Sequence, residues 1–374
     1  MRPPRCPPVA VAVLVLVAVV LAAAGPAAAG GAPPGTLRAA RSAGAVRAAA
    51  GPASVGAPAA VLVDAADGAV LWSRQAHEPR APASLTKMVT ALLVRSSLRL
   101  GDRAVAGRDA AAQPAKRLGL RPGDRLLVWQ ALQALLIVSA NDVAVMLADR
   151  AGGSVGRFAR AMDAESRRLG LRDSRWRNPN GLDAPGQRSS AFDLAILARA
   201  VLRDPWLAGV VRTREAAFVA PGGRRHQLSS RSRFLRGYPD AVGVKTGLTD
   251  DAGHCLAAAA RRGGRTLIAV VLHSPDNAAD AGRLLDWGFG PGRSTRTRAR
   301  LPDPVAPASV AALLAPRPRP AAPTLAAAGP PGAVAAPRRP PAALAGLAAA
   351  AAGGLLLGGT GLAVRRRRRR PLPP

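Results

Sequence analysis

The sequence predicts an α/β domain: an antiparallel sheet drawn from both ends of one folded stretch, flanked by helices and interrupted by an inserted helical subdomain. Three observations carry this expectation. Apolar runs flank an Asp67-Gly68 pair early in the stretch. Two more apolar runs flank Arg261–Arg265 near its end. Between them the apolar residues recur at helical spacing.

In order, Val61-Leu62-Val63-Asp64 and Ala69-Val70-Leu71-Trp72 around the Asp-Gly turn read as a hairpin. Pro82 and Ser84 precede Leu85–Leu93, which is apolar at helical spacing, so a helix is expected to begin near Ser84. Leu126–Val138 reads as a buried helix that ends at Ser139-Ala140-Asn141-Asp142, with a second helix through Asp149. Asp142 reads as a cap on that second helix. Residues 155–204 alternate helical stretches with the polar loop Asn178-Pro179-Asn180-Gly181. Ala241–Val244 leads into Lys245-Thr246-Gly247. His254–Ala260 and Thr266–His273 then form a second hairpin, and a helix through Leu284-Leu285-Asp286-Trp287 closes the domain. Cys255 reads as a small buried apolar residue and His254 as a strand-face histidine.

The ends of the 374-residue chain differ from this middle. Arg2 and Arg5, the apolar Val9–Ala24 and Ala27-Ala28-Ala29 form a secretory signal over 1–29. Residues 30–56 are an Ala/Gly/Pro-rich linker, and 57–290 is the one stretch able to build a core. Residues 291–341 are rich in Pro and Ala and read as a disordered tether. Ala342–Val364 is uncharged and long enough to span a bilayer. Arg365–Arg370 follow within a basic tail, 365–374. The positive-inside rule puts that tail in the cytoplasm and the preceding chain outside. The expectation is a single-pass protein exported across the bacterial membrane, with its folded domain on the outer face.

The net charge of +31 suggests a nucleic-acid or membrane partner until it is divided along the chain. Residues 57–290 hold +13 and the flanks +18, a third of the latter in the terminal arginine run. No nucleic-acid partner is expected. Two cysteines, one of them in the leader, exclude an internal disulfide in the mature chain. Four scattered histidines lack zinc spacing, so no metal or cofactor is expected. The chain has 50 arginines and three lysines, Lys87, Lys116 and Lys245. Ala, Gly, Pro and Arg share GC-rich codons, and against that background a retained lysine is informative.

Two of the three lysines fall in short motifs. Ser84-Leu-Thr-Lys87, Ser139-Ala-Asn141 and Lys245-Thr246-Gly247 occur in that order. Ser84 and Lys87, one helical turn apart, share a face. Lys87 can accept a proton only if burial or a nearby cation lowers its pKa, and Lys245 could supply that cation. Ser139 offers a hydroxyl that can relay a proton to a leaving amine. Asn141 offers an amide that can hold a substrate carbonyl. Lys245 suits a substrate that ends in a carboxylate, and backbone N–H groups beneath Ser84 suit an oxyanion. Lys116 lies in no motif and serves as the internal control.

With these motifs, and with "LLIVSANDVAVMLA", "RNPNGLDAPGQRSSAFDLAILARA", "GVKTGLTDDAGHCLAAAA" and "RLLDWGF", the chain resembles the serine-type D-alanyl-D-alanine carboxypeptidases, the low-molecular-mass penicillin-binding proteins of peptidase family S11. The resemblance covers nearly all of 57–290. It implies the penicillin-binding/β-lactamase-like fold, with the active site between sheet and helical subdomain. It implies Ser84 as acylated nucleophile, Lys87 as base and Ser139 as proton relay. Asn141 would hold substrate, and Lys245, Thr246 and Gly247 would line the carboxylate site. The backbone N–H groups of Ser84 and Leu248 would form the oxyanion hole. Peptidoglycan stem peptides are the implied substrates, and β-lactam antibiotics the implied inhibitors.

The chain departs from the family in places. The Pro/Ala tether and apolar span stand where many members carry a β-rich second domain and an amphipathic anchor. "HQLSSRSRFLRGYPDAVG" lacks an Asn-containing pattern common before the KTG strand. A β-lactamase would need a carboxylate to activate the deacylating water. The domain's glutamates are Glu78, Glu165 and Glu215, and Glu165 reads as surface-exposed on a helix. A DD-endopeptidase or transpeptidase would share the acyl-enzyme. A catalytically idle wall-binding scaffold would not need the intact Ser/Lys/Ser/Asn/Lys set.

Overall fold

The structure is a computed structural model and describes residues 51–52 and 54–315. The expected signal, residues 30–50 of the linker, the tether beyond 315, the 342–364 span and the basic tail lie outside the described residues. Among the described residues no helix is long and apolar enough to cross a membrane.

β1 (Ala59–Asp64) is apolar up to its last residue and buried along its whole length. Asp64 and Asp67 shape the turn after it by accepting from Ala66 N and Ala69 N at 3.0 and 2.9 Å. β2 (Val70–Arg74) returns antiparallel. A 3₁₀ turn, Ala83–Thr86, runs straight into α1 (Lys87–Ser97), so the expected helix is real but begins three residues after Ser84. β3 (Arg103–Val105), α2 (Arg108–Ala111), β4 (Arg125–Leu127) and α3 (Val128–Gln133) follow. The expected helix Leu126–Val138 is thus divided: its start is strand, and Ala134–Val138 is a π turn.

α4 (Asn141–Gly152), α5 (Val155–Leu169), α6 (Ala191–Arg203) and α7 (Pro205–Val211) complete the helical subdomain. Ser154, Ser190 and Asp204 cap the last three through their side chains. A small hairpin, β5 (Glu215–Val219) with β6 (Arg225–Ser229), precedes α8 (Arg233–Gly237). β7 (Ala241–Thr249), β8 (Gly253–Arg262) and β9 (Arg265–Ser274) form a meander, and α9 (Asn277–Phe289) follows.

The main sheet has the order β2-β1-β9-β8-β7, all antiparallel. Its first and last strands in sequence meet at the centre, where Val61 faces Val270. One face, with Val61, Ala257, Ile268 and Val270, packs into the core that holds α1, α4 and α6. The other, with Leu62, Leu256, Ala258 and Val271, packs on Leu284 and Leu285 of α9. Burial on both faces explains why β8 and β9 read as unbroken apolar runs rather than alternating ones. β7 is left as an edge, with α7, α8 and the 3₁₀ turn beside it.

The packed chain does not stop at 290. Residues 297–301 run along β2: Thr297 N and Leu301 N donate to Val70 O and Gly68 O, and Val70 N donates to Ala299 O, at 2.8–3.1 Å. α10 (Val310–Leu314) packs on α1 and α5, and Leu301 and Val310 are buried. The expected tether, 291–341, thus overlaps chain that packs on the domain over 297–314. A Pro/Ala-rich stretch packs here because two apolar side chains and a few backbone amides find partners already in place.

Candidate active site

Ser84 sits inside the 3₁₀ turn, partly exposed, and Lys87 opens α1 with its side chain fully buried. The turn is held tight: Thr86 Oγ1 donates to Ala83 O at 2.9 Å, and Ala83 has a φ of +48°. Lys87 Nζ donates to Ser84 Oγ at 3.0 Å, to Asn141 Oδ1 at 2.8 Å and, by a shorter contact, to Asn180 O. Burial lowers its pKa well below the ordinary value, and the charges of Lys245 and Lys116 lower it further; Asp142 opposes them. An amine with three acceptors, no ion-pair partner among the described residues and a depressed pKa is suited to take a proton from Ser84.

The π turn ends at Ser139, which takes a left-handed φ of +63° and redirects the chain into α4 at Asn141. Such backbone states cost on the order of 1–3 kcal/mol each and persist only where surrounding structure imposes them. Ser139 is buried, and its Oγ has no hydrogen-bond partner among the described residues. Asn141 is fixed at every polar side-chain atom and at its backbone N–H. The N–H donates to Lys116 O at 2.7 Å, Nδ2 donates to Pro114 O at 3.1 Å, and Oδ1 faces Lys87.

β7 forms the other wall. As an edge strand it leaves backbone groups facing the 3₁₀ turn. The approach is close. A Cβ on Gly247 would lie 3.1 Å from Ser84 N and 2.9 Å from Ala83 Cβ. Gly181, in the Asn-Pro-Asn-Gly loop at φ +84°, lies so near that a Cβ would fall 1.9 Å from Ala83 O. The two glycines thus bracket the Ser84 turn. Lys245 is buried on β7 and donates to Thr246 O at 2.9 Å. Burial, then the charge of Lys116, lowers its pKa to about 7. Thr246 is half-buried beside it, and Leu248 exposes its side chain.

The structure thus brings Ser84, Lys87, Asn141, Lys245, Thr246 and Gly247 to one cleft, and puts Ser139 at the turn leading into Asn141. Three further features have little or no signal in the sequence. Asn180 contributes only a backbone carbonyl, which no side-chain pattern announces. Asp142 is not the cap of α4, which Ala140 precedes without a side-chain cap; from within the first turn it accepts from Val143, Leu118, Gly119 and Leu120 N at 2.8–3.0 Å and pins the strap 113–120. Lys116 rides on that strap beside Asn141, so it is no neutral control. Glu165 is corrected as well. It is fully buried, bound by Arg168 at 2.8 Å and by Ala308 N under the C-terminal segment, not held over Ser84. A cavity of about 520 Å³ lies between α1, α6 and residues 301–307 and touches none of the site residues. His254 is exposed on its strand; Cys255 is buried, which pushes its thiol up to about 11.

A serine hydrogen-bonded to a buried lysine, on an antiparallel sheet flanked by helices with a Lys-Thr-Gly edge strand, defines the penicillin-binding class of Ser-x-x-Lys proteins. Within that class the chain belongs to the D-alanyl-D-alanine carboxypeptidase family, peptidase family S11, whose model matches residues 46–276. It is 32% identical over 241 residues to the D-alanyl-D-alanine carboxypeptidase DacF of Bacillus subtilis, covering 62% of this chain and 62% of that relative's length. The crystal structure of a D-alanyl-D-alanine carboxypeptidase from Mycobacterium tuberculosis is similar with a TM-score of 0.62 at 29% identity, over 66% of this chain and 98% of that one. The Streptomyces K15 DD-transpeptidase is similar with a TM-score of 0.60 at 28% identity, over 63% and 98%.

Proposed function

We propose that this chain is a serine-type D-Ala-D-Ala carboxypeptidase that removes the terminal D-alanine from peptidoglycan pentapeptide stems, and that β-lactams acylate the same serine. The observation that carries this reading is the 3.0 Å separation of Lys87 Nζ and Ser84 Oγ, across which an amine whose pKa burial depresses can accept the serine proton.

Ser84 Oγ attacks the carbonyl of the penultimate D-alanine and passes its proton to neutral Lys87 Nζ. The tetrahedral oxyanion forms against the N–H groups of Ser84 and Leu248. Asn141 holds a donor amide. Lys245 with Thr246 takes the C-terminal carboxylate, and the arriving anion raises the Lys245 pKa so that the ammonium stays charged. The proton gained by Lys87 passes on through Ser139 Oγ, which gives its own proton to the departing nitrogen and is reprotonated in turn; the C–N bond breaks, and D-alanine leaves. Water then hydrolyses the Ser84 ester. The buried engagement of Glu165 disfavours its use in a β-lactamase-like deacylation.

The expected secretory signal and the apolar 342–364 segment ahead of six arginines support a single-pass protein with this domain on the outer face of the bacterial membrane. The test is incubation with a pentapeptide ending in D-Ala-D-Ala, with and without an amine acceptor. Equal amounts of free D-alanine and tetrapeptide are expected. Transfer to the amine in place of hydrolysis would reassign the chain to transpeptidation.

A further inference from the structure

Three lysine side chains converge on the cleft, and none forms an ion pair with a carboxylate among the described residues. Lys87 Nζ is engaged by Ser84 Oγ, Asn141 Oδ1 and Asn180 O, and Lys245 donates to Thr246 O. Lys116 is exposed at the rim, and its ammonium has no hydrogen-bond acceptor among the described residues. It is nonetheless held in place. Its own carbonyl accepts from Asn141 N at 2.7 Å, Pro114 O accepts from Asn141 Nδ2 at 3.1 Å, and Gln113 Oε1 accepts from Asn180 Nδ2 at 2.8 Å. The other end of the strap is fixed by the three N–H groups that Asp142 accepts.

The acid on this wall therefore cannot neutralise Lys116. Asp142, whose charge Lys87 feels, is saturated by backbone donors. The charge of Arg231 adds to the positive field at Lys116. If the C-terminal carboxylate of the substrate is taken by Lys245 on β7, one positive charge remains without a partner, on the opposite wall with Asn141. With Asn141 holding the acyl donor as proposed, Lys116, whose carbonyl accepts from Asn141 N, lies on the acyl-donor side, although its charge also reaches Lys245.

We infer that Lys116 is a specificity-determining residue that binds a second carboxylate, carried on the side chain of the residue preceding D-Ala-D-Ala. The inference rests on the proposed carboxypeptidase reading and names a substrate class for it: acyl donors with two carboxylates. A cation fixed on a strap, beside a focused positive field, attracts such a donor and discriminates against its neutral amide.

The experiment compares acetyl-L-glutamyl-D-Ala-D-Ala with acetyl-L-glutaminyl-D-Ala-D-Ala, together with the same acid/amide pair on longer side chains. Two readouts are taken on the full chain: kcat/KM for D-alanine release, and protection of Ser84 from a fluorescent penicillin. For at least one pair the acid is expected to exceed the amide by about fivefold or more in kcat/KM, as charge pairs at a binding surface do. Lys116→Ala brings that ratio to near one, and Lys116→Arg keeps it. A ratio near one in the wild-type protein for every pair, or a ratio that survives Lys116→Ala, overturns the inference. So does an equal loss on both donors, which would reduce Lys116 to a field on Lys87. If neither donor is hydrolysed, the carboxypeptidase reading fails. The acid/amide ratio in protection then still decides the role of Lys116.

Discussion

The cleft and the clamp over the C-terminal segment use positive charge in opposite ways. In the cleft, Lys87 and Lys245 are buried without a carboxylate, and their pKa values fall. At the clamp, Arg168 meets buried Glu165 in a two-pronged pair and also donates to Ala306 O. Nearby, Arg199 fixes the Asp67 turn to the same segment through Ala65, Ala66 and Pro302 carbonyls. Lys87, left unpaired, can act as a base, while Lys245 is left free to meet a carboxylate. Arginine, which keeps its proton, becomes a fastener. The division is chemical, since only the ammonium can be tuned toward neutral within reach of ordinary pH.

The most severe test of the contrast removes the reacting pair. Ser84→Ala should abolish penicillin labelling and lower D-alanine release by about ten-thousandfold or more, as loss of a nucleophile does elsewhere. Lys87→Ala should cost about a thousandfold in acylation, within the range of general-base loss. A milder change is Ser139→Ala, with an expected loss of about a hundredfold in kcat, read by single-turnover acylation. If Ser139→Ala is silent, its unpartnered hydroxyl is not the relay.

The clamp is broken by Arg168→Ala, which strands the fully buried Glu165 carboxylate. Unfolding in urea should show a loss of about 3 kcal/mol. Penicillin acylation of the folded protein should hardly change, because neither residue reaches the cleft. A large acylation defect would mean that the two regions are coupled.

A further effect is in the pH dependence of stability. The Lys245 pKa is about 7 in the folded chain against 10.5 ordinarily, so between those values the unfolded chain binds more protons. Lys245 therefore makes stability rise with pH across that window. Lys245→Met should flatten the rise, as measured by urea titrations at several pH values. An unchanged slope would show that burial does not depress this lysine.

Much of this contrast is legible in the amino-acid sequence. Asp67-Gly68 between apolar runs specifies the first hairpin, and two of three lysines mark the site. The features that are not legible share one physical cause: they are carried by backbone or by distance. The Asn180 carbonyl is independent of residue type. Lys116 acts through space from a strap that belongs to no motif and is joined to Asn141 by a backbone hydrogen bond. The π turn at Ala134–Val138 has the composition of an ordinary helix end and differs because Ser139 adopts a left-handed conformation. Residues 297–314 and Glu165 mislead together. By composition the segment cannot pack, and without it Glu165 reads as exposed, whereas in the fold each buries the other.

The central claim is that Ser84 is the nucleophile activated by a neutral, buried Lys87. Its most direct test is mass spectrometry of the full chain after brief exposure to penicillin, with peptide mapping of the adduct. The account predicts one penicilloyl group on the peptide containing Ser84, formed faster as pH rises while Lys87 loses its proton, and none in Ser84→Ala. An adduct on another residue, or an undiminished rate in Lys87→Ala, would contradict it.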